Sequence, residues 1–288
     1  MKVVKTTLAI ALVLTSAFAI ASAQARPDSK FAKLDGSRIH YVNYGKGDEA
    51  LVLIHGWTQS VDAWRDNVAD LAARNRVIVV DLPGHGQSDK PQVTYSMDYF
   101  ARAVDAVMRD AKVKRAVLAG HSMGTPVARQ FYRKYPEKTI AIVVVDGSLR
   151  PFGDKAMVDQ LMGGLRGEKY RDTISQMMAF MGGQTLSADA KERNNAASLN
   201  TPQPVLVSAF EGMLDNSIWA EDKINVPVLA IVAKTSVPPN AEESYRAIAP
   251  QMEFVMWSDA GHFLMMEKPR EFNAVVIAWL DKNKLLKK

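Results

Sequence analysis

The sequence predicts an α/β fold: a mostly parallel central sheet covered by helices on both faces, with a helical cap insertion. Three observations carry that prediction. Continuous apolar runs of β-type residues recur along the chain, helical patterns separate them, and one run, Val117 to Gly120, passes into a helix through a serine held between glycines. Strands buried on both faces of a parallel sheet read this way, because neither side meets water. Length and composition agree. A chain of 288 residues, 48% hydrophobic and 23% charged, suits one domain with a full core, placed at residues 26–288 behind an N-terminal leader.

The leader is the first element. Lys2 and Lys5 precede the apolar stretch Leu8 to Leu14, and small residues close it at Ala21-Ser22-Ala23 and Ala23-Gln24-Ala25. Residues 1–25 therefore read as a secretory signal peptide, cleaved after residue 23 or 25, and the protein is expected outside the inner membrane, periplasmic or extracellular. The apolar stretch is near the lower limit for a span and ends in a cleavage site, so no stable membrane anchor is expected. The chain has no cysteine, which leaves the core alone to hold it together. Its formal charge of +5 comes from basic residues scattered among acids, the pattern of a solvated surface and not of a nucleic-acid face.

From Phe31 to Tyr44 apolar and polar residues alternate around Asp35-Gly36, a β-hairpin signal. Ala50 to Ile54 is a buried strand that delivers His55-Gly56-Trp57 to the sheet's edge; a helix over about Val61 to Ala73 and a second buried strand, Arg76 to Val80, follow. The alternation continues with a helix near Tyr99 to Asp110, the strand into Ser122, a helix to Tyr135 and the strand Ile140 to Val145. Between about 149 and 218 the rhythm breaks into helical stretches interrupted by Gly163-Gly164, Gly182-Gly183 and Pro202-Gln203-Pro204, read as the cap. Beyond it come a strand at Val226 to Val232, a helix near Ala241 to Ile248, a strand at Glu253 to Trp257, a loop with His262, and a helix from about Pro269 to Leu280.

The turn at Gly120-His121-Ser122-Met123-Gly124 has a physical reason for its glycines. A sharp strand-to-helix turn strains the serine backbone and crowds its neighbours, so the positions two before and two after must lack side chains. The serine hydroxyl then stands clear above a helix N-terminus, whose unpaired N–H groups favour negative charge. Together with His55-Gly56-Trp57, the run Asp81 to Asp89 (Asp-Leu-Pro-Gly-His-Gly-Gln-Ser-Asp) and Gly261-His262-Phe263, this motif resembles the α/β-hydrolase superfamily. The likeness extends from about Phe31 to the C-terminus and is weakest across 149–218. One departure is that the elbow continues with Thr125-Pro126 where a small residue is common; proline in a helix's first turn costs little.

The resemblance implies roles. Ser122 would be the nucleophile and His262, in the loop after the last strand, its base; the oxyanion donors would be the backbone N–H groups of Trp57 and Met123. Of the other histidines, His121 should point away from the hydroxyl, His55 and His85 should shape loops, and His40 lies in the hairpin. The acid usually follows the strand after the cap, but that strand here ends in Ala233-Lys234-Thr235-Ser236-Val237-Pro238-Pro239, with no carboxylate before Glu242. Some members of the superfamily carry it instead at the end of the strand after the nucleophile's helix, and by that resemblance Asp146 is the expected acid, with Asp259 as its rival and a plain turn-forming role as the bland alternative.

Six of the 14 methionines, Met157, Met162, Met177, Met178, Met181 and Met213, fall in the cap. Either they pack the cap on the core or they line an adaptable pocket for an apolar substrate. The expected pocket residues are Trp57, Phe152, Met157, Met177, Met181 and Phe263, with Phe180, Phe210 and Trp219 adding apolar surface. No metal or cofactor is expected, since ligand-spaced histidines and a phosphate-cradling Gly-x-x-x-x-Gly-Lys are both missing. The expectation is a secreted serine hydrolase that cleaves a carboxylic ester or lactone of a mainly apolar small molecule through an acyl-serine. The same triad would serve a perhydrolase, an amidase or a carbon–carbon bond hydrolase, and a non-catalytic ligand-binding relative is the alternative of another class. Oligomeric state is not legible.

Overall fold

Asp35 and Gly36 both take positive φ, 49° and 84°, as a two-residue type I′ turn requires. The turn folds β1 (Asp28–Leu34) back on β2 (Ser37–Tyr44), with Leu34 opposite Ser37. The computed structural model describes residues 27–151, 153–182 and 185–286. The expected leader and its cleavage site lie outside the described residues.

The apolar runs become β3 (Glu49–Ile54), β4 (Val77–Val80), β5 (Arg115–His121), β6 (Thr139–Val145), β7 (Val228–Ala233) and β8 (Met252–Trp257). Among the described residues the eight strands form one sheet in the order β1-β2-β4-β3-β5-β6-β7-β8. The hairpin pairs antiparallel with itself and with β4, and every other pairing is parallel. All of β4 and β7 is buried, and each fully buried Val, Leu or Ile contributes about 1.5–3 kcal/mol. The parallel strands all end on one edge, so the residues that follow β3, β5, β6 and β8 share that edge.

The helices are α1 (Val68–Ala72), α2 (Met97–Asp110), α3 (Gly124–Lys134), α4 (Lys155–Arg166), α5 (Tyr170–Gly182), α6 (Ala188–Asn200), α7 (Gln203–Leu214), α8 (Ala241–Arg246), α9 (Leu264–Glu267) and α10 (Pro269–Lys282). Side-chain caps start several of them: Ser96 accepts from Tyr99 N–H, Asp154 from Met157 N–H and Ser187 from Ala190 N–H. The helix expected over Val61 to Ala73 is instead a 3-10 turn, Val61–Trp64, followed by the short α1. The reason is Asn67, whose buried Nδ2 donates to the Met265 carbonyl and to Asn273 Oδ1, both at 3.0 Å; these tertiary bonds tie down the point where the helix would have continued.

Helices α4 to α7 sit between β6 and β7 in sequence. Arg129 of α3, buried, holds both ends of this insertion. Its guanidinium donates to the Leu149 carbonyl at 3.0 Å and to the Ala220 carbonyl. Burial, with Arg133 beside it, lowers its pKa to about 10, still charged at neutral pH. Among the described residues no helix is long and apolar enough to cross a membrane.

Candidate active site

Ser122 follows directly on β5 in the left-handed region, φ 50°, and its N–H donates to the Val145 carbonyl at 3.0 Å. The flanking glycines are steric necessities. A Cβ on Gly120 would lie 2.1 Å from the Gly124 carbonyl oxygen, and one on Gly124 would lie 2.5 Å from that of Ile54. Thr125, the departure from the usual small residue, is accommodated by a third glycine. Its hydroxyl donates to the Gly120 carbonyl at 2.8 Å, and it occupies the space where a Cβ on Gly147 would come within 2.0 Å of Oγ1.

Asp146 follows directly on β6, the strand beside β5, and also has positive φ, 44°. Its N–H donates to the Ile231 carbonyl at 2.8 Å. One carboxylate oxygen, Oδ1, accepts from the Ala233 N–H at 2.6 Å; the other, Oδ2, lies 2.7 Å from His262 Nδ1. His262 Nε2 is 3.0 Å from Ser122 Oγ. An ionised carboxylate only accepts, so the imidazole proton belongs on Nδ1 and Nε2 is left as an acceptor facing the Ser122 hydroxyl. The Asp146 side chain is 0% exposed and that of His262 17%: the carboxylate is sealed and the imidazole is reachable. Asp259 points elsewhere, pairing with Lys268 while its carboxylate is 71% exposed.

The loop after β3 approaches the serine closely, since a Cβ on Gly56 would lie 3.1 Å from Ser122 Cβ. Among the described residues neither Trp57 nor Met123 gives its backbone N–H to a protein acceptor. Both donors are thus available beside Ser122. Gln59 knits the loop to its surroundings: Oε1 accepts from the Gly56 N–H at 3.0 Å and lies 2.7 Å from His121 Nδ1, while Nε2 donates to Asn194 Oδ1 at 3.1 Å. His121 Nε2 lies 2.8 Å from the His262 carbonyl. Burial, then the neighbouring His262, push the His121 pKa well below its ordinary value, so the ring is neutral and its single N–H donates to one of these oxygens at a time. Gln59 and Asn194 are 135 residues apart, which hid their partnership from the sequence reading. The available signal was Asn194 and Ser198, polar residues one and two turns along α6 from buried Ala190.

The remaining histidines hold loops. His55 Nδ1–H donates to the Gly56 carbonyl at 2.7 Å and Nε2 accepts from the Leu82 N–H at 3.0 Å; His85 Nδ1–H donates to the Pro83 carbonyl at 3.0 Å. Burial lowers the pKa of His55, and that of His85 to about 3. His40 Nδ1 meets Asp81 in the interior at 2.7 Å. Among the described residues no cluster of three or more His, Cys, Asp or Glu could hold a metal ion.

A cavity of about 960 Å³ opens on Ser122 and His262, large enough for a drug-sized ligand. Trp57, Met157, Met177, Met181 and Phe263 line it, as do Phe210, Met213 and Trp219. Met162 and Met178 do not reach the cavity and pack in the core, so the cap methionines divide between both roles. Phe152 falls outside the described residues. The rim is apolar too, with Phe180 89% exposed and Met157 52% exposed. Trp57 stacks edge-on against Phe210 at 5.4 Å, and its indole N–H donates to the Leu206 carbonyl at 3.0 Å.

Residues 49–269 match a family model described as alpha/beta hydrolase fold. The chain is similar to a pimeloyl-[acyl-carrier protein] methyl ester esterase of Vibrio campbellii, 32% identical over 258 residues that cover 82% of this chain and 96% of that one. It is also similar to a dihydrolipoyllysine-residue acetyltransferase component of the acetoin cleaving system of Cupriavidus necator, 26% identical over 276 residues, 86% of this chain and 67% of that one. Among solved structures, an esterase from Exiguobacterium antarcticum superposes with a TM-score of 0.80 at 17% identity, covering 88% of this chain and 100% of that one.

Proposed function

The chain belongs to the α/β-hydrolase fold family, and from that premise we propose that it is a serine hydrolase cleaving a carboxylic ester or lactone of a mainly apolar small molecule. The observation that carries this reading is the unbroken chain of contacts from Ser122 Oγ to His262 to Asp146, 3.0 and 2.7 Å long, at the wall of an apolar cavity. Ser122 Oγ attacks the acyl carbon as His262 Nε2 takes its proton; Asp146 stabilises the resulting imidazolium. The oxyanion receives the N–H groups of Trp57 and Met123. His262 then protonates the departing alkoxide, an acyl-serine remains, and a water activated by the same imidazole releases the acid. In a lactone the alcohol stays tethered to the acyl group. The esterase names of relatives support the ester bond, and the methionines and aromatics of the cavity support apolar substituents. Met1 to Ala25 supports export to the periplasm or beyond.

The test is turnover of short p-nitrophenyl esters by the wild type and by Ser122→Ala. Hydrolysis that disappears with the hydroxyl supports the reading; equal turnover by both proteins, or none by either across a panel of acyl lengths, defeats it.

A further inference from the structure

The loop that offers the Trp57 N–H is fastened from the cap by three consecutive side chains. Trp57 Nε1 donates to the Leu206 carbonyl of α7 at 3.0 Å, the Thr58 hydroxyl meets Ser198 Oγ of α6 at 2.8 Å, and Gln59 Nε2 donates to Asn194 Oδ1 of α6 at 3.1 Å. Ser198 already donates to the Asn194 carbonyl at 2.9 Å, so Thr58 is the donor in its pair. Thr58, Gln59, Asn194 and Ser198 are all buried, where a polar group needs its partner most.

The loop is also strained. Thr58 has φ 66°, a conformation that a β-branched residue adopts only when its surroundings over-determine it. Of the other non-glycine residues with positive φ, Asp35, Lys112, Lys284 and Leu286 lie away from the site, whereas Ser122 and Asp146 meet at it. The bond from Thr58 to Ser198 is what the strained position gains.

We infer that the cap positions the oxyanion loop: Thr58 and Gln59, with Ser198 and Asn194 as their anchors on α6, hold the Trp57 N–H where it must meet the developing charge. They are positioning residues, since none of them is assigned a contact with the reacting atoms. The inference rests on the serine-hydrolase reading above, in which Trp57 supplies one oxyanion donor. It makes the rate of the chemical step a property of how the cap is seated, and gives α6 a role beyond enclosing the cavity. Neither Asn194 nor Ser198 lines that cavity, so their removal should act on rate and not on substrate binding.

The experiment compares Asn194→Ala, Ser198→Ala, Thr58→Val and Thr58→Ser with the wild type. Two quantities are read: kcat and KM on a p-nitrophenyl ester, and the rate of inactivation by a p-nitrophenyl phosphonate. In the second reaction Ser122 Oγ bonds to phosphorus, p-nitrophenolate leaves, His262 takes the serine proton, and the phosphoryl oxygen needs the same donors as the oxyanion. Thr58→Val keeps the shape and loses the hydroxyl, whereas Thr58→Ser keeps the hydroxyl. Asn194→Ala, Ser198→Ala and Thr58→Val should each lower kcat and the phosphonylation rate by about ten- to a hundredfold, the scale of a small misplacement, with KM within about twofold. Thr58→Ser should stay near wild type in both. Thermal unfolding identifies which variants are folded at the assay temperature, and the Thr58→Val and Thr58→Ser pair carries the comparison if the α6 variants are not. Folded variants that lose thermal stability but keep wild-type kcat and phosphonylation overturn the inference, as does a loss confined to KM. A wild type that is not phosphonylated at Ser122 fails differently: it defeats the serine-hydrolase reading itself.

Discussion

Replacing Asp146 by Asn changes one atom of the site and should disable it through a proton. The side chain at 146 faces two partners, the Ala233 N–H at 2.6 Å on Oδ1 and His262 Nδ1 at 2.7 Å on Oδ2. The first partner is a backbone donor and cannot become an acceptor, so the amide oxygen of the Asn variant must face Ala233. Its NH2 group then faces His262 and donates to Nδ1, which drives the imidazole proton to Nε2, toward Ser122 Oγ at 3.0 Å. A base protonated at that nitrogen cannot accept the serine proton. A forced wrong tautomer of this kind costs about 10⁴-fold in kcat, or about 5.5 kcal/mol of barrier at about 1.4 kcal/mol per tenfold. The bond to Ala233 survives, so the variant should fold with a melting temperature close to wild type. Steady-state kinetics on a p-nitrophenyl ester, with a thermal melt on the same samples, make the check. A folded Asn variant whose kcat is within about tenfold of wild type would refute the tautomer argument and the role of Asp146 with it.

Gly147→Ala would place a methyl 2.0 Å from Thr125 Oγ1 and 2.9 Å from the Ser122 carbonyl oxygen; overpacking of this kind should cost about 1–3 kcal/mol in urea unfolding, and adding Thr125→Ala should recover part of it. Arg129→Met strips the Leu149 carbonyl of its charged donor and leaves the Ala220 carbonyl to Arg133 alone, and should destabilise by about 1.5–3 kcal/mol; a loss below about 1 kcal/mol would show that the cap's ends are held by something else. Acid should unfold the protein early. His55, His85 and His121 are held neutral by burial, with pKa values below 6.5 and that of His85 near 3. Stability is therefore full above pH 6.5 and falls below it as the unfolded chain alone takes up protons, by up to about 1.4 kcal/mol per pH unit for each histidine; a urea midpoint that is flat from pH 6.5 to 5 would contradict this.

What could be read from the chain was whatever local rules enforce. The apolar runs identified the parallel strands because burial on both faces leaves no polar position, and Asp35-Gly36 identified its turn because few residue pairs accept two positive φ values. Asp146 could be singled out only through the resemblance, since the strand ending at Ala233 carries no acid and some members of the superfamily place theirs after the preceding strand; the structure adds that the Ala233 N–H orients the Asp146 carboxylate. The break near Asn67 was not legible, since nothing local marks it and its partners, Met265 and Asn273, are about 200 residues away. The fastening of the loop at Trp57, Thr58 and Gln59 was hidden for the same reason, as each side chain reaches a cap residue at least 135 positions distant. The division of the cap methionines was equally invisible. Which of them face the cavity depends on how α4 to α7 sit on the sheet, and composition does not encode that.

A nucleophilic Ser122 must carry the acyl group between the two half-reactions, and intact-protein mass spectrometry detects that adduct. A slowly deacylating p-nitrophenyl ester is mixed with the wild type and with Ser122→Ala, and the reaction is stopped in acid within the first turnovers. The wild type should carry one acyl group per chain, mapped by digestion to the peptide holding Ser122, released with the same rate constant as steady-state turnover, and absent from Ser122→Ala. Turnover without any adduct on trapping, or an adduct that persists in Ser122→Ala, would contradict a nucleophilic Ser122.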